Sequence, residues 1–264
     1  MSKPVAELRG RPDLPEILSV GDRRIAVERL AGRAPGLFWL SGFRSDMTGS
    51  KARAVDDFAA RHGLAATFFD YSGHGQSGGD FNEGTISRWL EEAEGVFATT
   101  TGPQVVIGSS MGGWLALLLT LAQRRQGSSR IEGLVLIAPA TDMTELMLAQ
   151  MPKKYRKLLD MQGYVDTPSE YSAEPYRINK TLIEDGRQHL LFGRGIALGC
   201  PVTILQGARD KDVPKEHAAR LVQHLLTDPV VFTLVSDGDH RLSRLEDLAL
   251  LQRSIETIIA ERGM

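Results

Sequence analysis

Val105-Val106-Ile107-Gly108-Ser109-Ser110-Met111-Gly112-Gly113-Trp114 runs from a short apolar stretch, through a glycine-flanked pair of serines, into a second apolar stretch that continues to Leu121. The first part has the length and β-branched content of a buried strand, and the second has the composition of a helix. Between them Gly108-Ser109-Ser110-Met111-Gly112 fits G-x-S-x-G, a turn that holds its serine in a strained backbone with the hydroxyl standing clear of the sheet. The glycines leave out Cβ atoms where strand and helix would otherwise collide. Ser110 is therefore the candidate nucleophile around which the other residues can be placed.

Upstream, Glu16 to Val20 and Arg24 to Ala31 alternate as two short strands, with Gly21-Asp22 as the turn of a hairpin. Gly36 to Leu40 reads as a fully buried strand ending in the loop Ser41-Gly42-Phe43-Arg44-Ser45-Asp46. A helix from Ser50 to Gly63, a strand Leu64 to Asp70 and a helix Thr85 to Thr100 follow. The glycine-rich segment Asp70 to Gly79 lacks both the Lys-Ser/Thr ending of a phosphate loop and the spacing of a dinucleotide fingerprint, so it is read as close backbone packing beneath the site. Downstream, Ile131 to Ala138, Val202 to Gln206 and Val230 to Val235 are strands, and Ser243 to Ile259 is a closing helix. Eight candidate strands alternating mostly with helices predict an α/β protein with a mostly parallel sheet covered on both faces.

The rhythm breaks between Asp142 and Leu198. Residues 1-141 and 199-264 are expected to form the core, and 142-198 a small helical insertion. An insertion leaving the carboxyl ends of the strands stands where ligands bind in open α/β sheets, so it is expected to act as a lid. Leu146, Met147 and Met151 are its candidate substrate contacts.

A serine hydroxyl needs a positioned base, and the base needs a group that fixes its tautomer. Hydrolases built on this turn place the acid and then the histidine after the serine. Asp210 and His240 satisfy that order, each in a loop directly after a strand. Of six histidines, His62 closes a helix, His74 lies in the glycine-rich loop, His189 in the insertion, and His217 and His224 on one helix. Asp212 and Asp142 remain alternative acids. The backbone N–H groups of Phe43 and Met111 are the candidate oxyanion donors, one after the early buried strand and one after the nucleophile.

The 31 Lys and Arg against 33 Asp and Glu give a net charge of −2, which offers no excess to recommend nucleic acid as a partner. The single cysteine, Cys200, cannot build a disulfide framework or a thiolate metal cluster. No His/Asp cluster has metal-ligand spacing, so neither a metal nor a cofactor is expected. The first twenty residues show no secretory apolar segment, and no run has the length of a membrane span. A cytoplasmic protein without an integral membrane segment is the expectation, acting on a small-molecule or acylated-protein ester.

With these residues placed, the chain resembles the α/β-hydrolase family, and within it the branch of the mitochondrial palmitoyl-protein thioesterase that also acts as an acyl-glucuronide esterase. The resemblance runs from about Leu37 to the C-terminus. It is carried by Phe69 to Gly73, Gly108 to Trp114, Pro168 to Ser172, Gly207 to Pro214 and Asp239-His240-Arg241. It implies Ser110, Asp210 and His240 as nucleophile, acid and base of a thioesterase or carboxylesterase. Ser41-Gly42 stands where many members have His-Gly, and Ser109 where many have His, without loss of a backbone donor. A C–C bond hydrolase or haloperoxidase-like enzyme with the same triad, and a non-catalytic binding protein, are the alternatives.

Overall fold

The computed structural model describes residues 14–167, 175–261 and 263. Its main sheet has eight strands: β1 (Glu16–Val20), β2 (Arg23–Leu30), β3 (Arg33–Leu40), β4 (Leu64–Phe69), β5 (Gln104–Ser109), β6 (Ile131–Ile137), β9 (Val202–Gly207) and β10 (Val230–Val235). Two further strands, β7 (Tyr164–Thr167) and β8 (Tyr176–Asn179), lie outside it. The order is β1-β2-β4-β3-β5-β6-β9-β10, and β2 alone among the inner strands runs antiparallel to its neighbours β1 and β4. All pairs from β4 through β10 are parallel. This is the α/β-hydrolase fold anticipated from the sequence.

The apolar runs that mark the strands bury both faces of the sheet. On β5, Val106 belongs to one core with Trp89, Phe97, Trp114 and Leu117, while Val105 and Ile107 belong to another with Val55, Phe58, Ile255 and Ile258. The first core seats α2 (Ile86–Ala98) and α3 (Met111–Arg125), and the second seats α1 (Ser50–His62) and α8 (Leu245–Glu261). Because strands β3, β5, β6, β9 and β10 point the same way, the loops that leave them open on one edge of the sheet.

The insertion contains α4 (Met143–Gln150), α5 (Lys153–Gln162), the antiparallel hairpin β7 (Tyr164–Thr167) and β8 (Tyr176–Asn179), and α6 (Lys180–Gly186). The insertion expected to be helical contains these three helices and, in addition, the hairpin. Its strands alternate: Val165 and Ile178 face each other in register and share a small core with Met151, Leu159 and Ile183. On the outer side Arg177 pairs with Asp166 at 2.8 Å and lies over the Tyr164 ring. Pro168 to Ser172, one of the stretches carrying the family resemblance, lies outside the described residues.

Both ends of the insertion are tied down. The buried Asp142 carboxylate accepts from the amides of Leu191 (2.7 Å) and Phe192 (2.9 Å). Asp185 accepts from the Ser87 amide at the start of α2, and the Trp114 indole N–H donates to the His189 carbonyl.

Candidate active site

Ser110 stands between β5 and α3 with φ 55 and ψ −117, a conformation that a non-glycine residue holds only when its surroundings enforce it. The enforcement is local. The Ser110 amide donates to the Ile137 carbonyl at 2.8 Å, and its own carbonyl accepts from Gly113 and Ala140. The two motif glycines are demanded by contact: a Cβ on Gly108 would stand 2.3 Å from the Gly112 oxygen, and one on Gly112 2.1 Å from the Leu40 oxygen.

His240, in the loop between β10 and α8, places Nε2 3.1 Å from Ser110 Oγ and Nδ1 2.8 Å from Asp210 Oδ2. A carboxylate only accepts, so Nδ1 carries the proton and Nε2 keeps the lone pair that faces the serine. Asp210 Oδ1 accepts from the amides of Asp212 (2.9 Å) and Val213 (2.8 Å), and Oδ2 also accepts from Gln206 Nε2 at 3.1 Å. The structure thus brings together Ser110, Asp210 and His240 across 130 residues of chain. Of the alternative acids, Asp142 is occupied in anchoring the insertion, and the Asp212 amide serves Asp210.

Phe43 lies in the loop after β3, its ring against Phe81 and Trp89. That loop rests on the nucleophile: a Cβ on Gly42 would come within 3.3 Å of Ser110 Cβ. Met111 opens α3, and neither its amide nor that of Phe43 donates to another described residue. Phe43, Ser110 and His240 line a cavity of about 550 Å3. Leu146 and Met147 of α4 form part of its wall, as do Tyr176 and Ile178 of β8. Met151 does not line it. Its side chain is buried in the small core of the insertion, because Pro152 turns the chain away before α5 begins, so the expectation of a substrate contact there is withdrawn.

Three residues that sequence reasoning passed over support the site. Gln206 is fully buried, and its amide bridges Asp210 to the carbonyls of Gly207 and Val213. Its only sequence signal is a large polar side chain inside an apolar strand. Asp70 is buried and accepts from the amides of Met47 and Gln76, joining the glycine-rich loop to the loop after β3. Burial pushes its carboxyl up to about 6. Lys51 lines the cavity, donates to the Arg241 carbonyl, and is lowered to about 8 by burial and by the Arg241 guanidinium.

The sequence profile of Hydrolase_4, described as serine aminopeptidase S33, matches residues 38–175. The chain belongs to this family of α/β-hydrolases. It is 33% identical over 251 residues to the bovine palmitoyl-protein thioesterase ABHD10, mitochondrial, a match spanning 94% of this chain and 78% of the relative. The human protein of that name is 32% identical over the same shares. Among solved structures, a putative hydrolase from Agrobacterium vitis S4 is 46% identical, with a TM-score of 0.90 over 94% of this chain and 100% of the other. The mouse α/β-hydrolase domain-containing protein 10 gives 32% identity and a TM-score of 0.86 over 94% and 98%. Membership places the chain among the serine hydrolases, and the ABHD10 relatives are thioesterases by name. Among the described residues no helix is long and apolar enough to cross a membrane. The curated relatives are mitochondrial by name, so the comparisons lend no support to the expected cytoplasmic location.

Proposed function

We propose that the protein hydrolyses thioesters or carboxylic esters through an acyl-enzyme on Ser110. The observation that carries this reading is the unbroken relay from Asp210 through His240 to a serine held at a strained turn. Ser110 Oγ attacks the carbonyl carbon while its proton passes to His240 Nε2. The imidazolium, stabilised by Asp210, then protonates the departing thiol or alcohol. Water enters, gives its proton to His240, attacks the acyl carbon, and Ser110 leaves with that proton.

The negative charge on the carbonyl oxygen in each tetrahedral intermediate is met by the amides of Phe43 and Met111, a contribution of about 10²–10³ in kcat per donor. The insertion serves as a lid, and an acyl chain lies against Leu146 and Met147 in the cavity. The names of the thioesterase relatives support a long acyl group on sulfur. Profiling acyl thioesters and oxygen esters across chain lengths tests the reading. Long thioesters are expected to be preferred and Ser110→Ala to abolish turnover while leaving the fold intact. Full activity in that variant refutes the mechanism, and activity on short oxygen esters alone refutes the thioesterase assignment.

A further inference from the structure

Arg44 follows the Phe43 amide assigned above to the oxyanion hole, and it is held from several directions. Its backbone stands at φ 55. Its N–H donates to His74 Nε2 at 3.2 Å. Its guanidinium lies between two rings, 4.4 Å from the centroid of Phe81 and 4.7 Å from that of Tyr176. The left-handed region is one that arginine occupies only under such constraint.

His74 is built into this position rather than exposed in a loop. It is 5% exposed, with its ring edge-on to Tyr71, Phe81 and Trp89. Nδ1 lies 3.2 Å from the Ser72 carbonyl oxygen. A carbonyl only accepts, so Nδ1 carries the proton and Nε2 is left as an acceptor for Arg44. Burial lowers His74 to about 4, which keeps the ring neutral and that acceptor in place around neutral pH.

We propose that His74 is a positioning residue for the oxyanion hole, accepting the Arg44 N–H so that the Phe43–Arg44 turn keeps the Phe43 amide aimed at the carbonyl bound to Ser110. This rests on the reading of Phe43 given above. The physical need is specific: the loop passes so close to the nucleophile that a Cβ on Gly42 would stand 3.3 Å from Ser110 Cβ, its donor is a backbone group with no side chain to steer it, and a misplacement of about 1 Å costs on the order of 10² in rate. The hydrogen bond from Arg44 links this loop to the glycine-rich segment one peptide from the donor.

The test measures kcat and KM on 4-nitrophenyl butyrate, together with inhibition by a trifluoromethyl ketone, which forms an oxyanion on the serine. His74→Ala is expected to lower kcat roughly ten- to a hundredfold with KM within about twofold, and to weaken the ketone in parallel. His74→Gln, whose Oε1 can accept the same N–H, recovers most of that loss. Should His74→Ala not fold, His74→Leu against His74→Gln makes the same comparison at similar volume. A folded His74→Ala or His74→Leu with unchanged kcat and ketone affinity overturns the proposal, as does a rise in KM alone. Ser110→Ala run alongside separates the two claims: if it retains turnover the site reading fails, whereas a dead Ser110→Ala with unaffected His74 variants removes only the role of His74.

Discussion

The Asp210 carboxylate is committed on every side, to two amides at one oxygen and to Gln206 and His240 at the other. In the proposed mechanism that arrangement orients Asp210 to hold the His240 tautomer. Asp210→Asn presents an amide that offers N–H where the ring needs an acceptor, and kcat is expected to fall by roughly 10⁴ in a steady-state assay with little change in KM. Gln206→Leu is subtler. It leaves the carbonyls of Gly207 and Val213 without their side-chain donor and takes one hydrogen bond from Asp210. A stability loss of about 1–3 kcal/mol by urea denaturation, accompanied by reduced kcat, is the expected outcome. Ser110, Asp210 and His240 were legible in the sequence because chemistry restricts their types and the fold restricts their order. Gln206 and His74 were not, since no motif marks them: Gln206 meets Asp210 and the Val213 carbonyl, and His74 the Arg44 amide, only in the folded chain.

At the scale of elements, the strands from β3 to β9 in the main sheet were legible as apolar runs because both faces are buried, the edge strand β10 was legible from its apolar residues although it is only half-buried, and the glycine turn marked the junction of β5 with α3. The steric demand at that junction can be measured. Gly112→Ala sets a Cβ against the backbone of Leu40 and Ser41, where no side chain can move aside, and is expected to lose about 1–3 kcal/mol by urea denaturation and most of the activity. The insertion was less legible. Its hairpin strands are four residues each, too short for alternation to stand out among the surrounding charges, and its core of Met151, Leu159, Val165, Ile178 and Ile183 is assembled from four elements and the link between α4 and α5. Asp142 secures the far end of this unit. Asp142→Ala frees the amides of Leu191 and Phe192, and is expected to raise KM for long-chain thioesters while short esters are turned over as before.

For the molecule as a whole, pH reaches stability through a buried carboxyl away from the reacting atoms. Asp70 titrates at about 6 in the fold against 3.8 for the ordinary carboxyl, so folding takes up a proton between these values. Its contribution is therefore favourable at low pH and is lost as pH rises from about 4 to about 6, by on the order of 3 kcal/mol. The stability of the wild type relative to Asp70→Asn, followed by urea denaturation across that window, is expected to decline with rising pH. A flat difference contradicts the burial argument. The bonds of this carboxylate to Met47 and Gln76 hold together the glycine-rich loop and the loop after β3 that carries the proposed oxyanion donor.

Ser110 is the residue proposed to carry the acyl group. A fluorophosphonate reacts with a serine only where a base and oxyanion donors activate it. Peptide mapping by mass spectrometry after such labelling, with esterase activity followed in the same samples, is the most direct measurement. One label per chain on Ser110, with hydrolysis lost in proportion, is the result predicted. A folded, ester-hydrolysing protein in which Ser110 stays unlabelled, or a fully labelled Ser110 with activity intact, would contradict it.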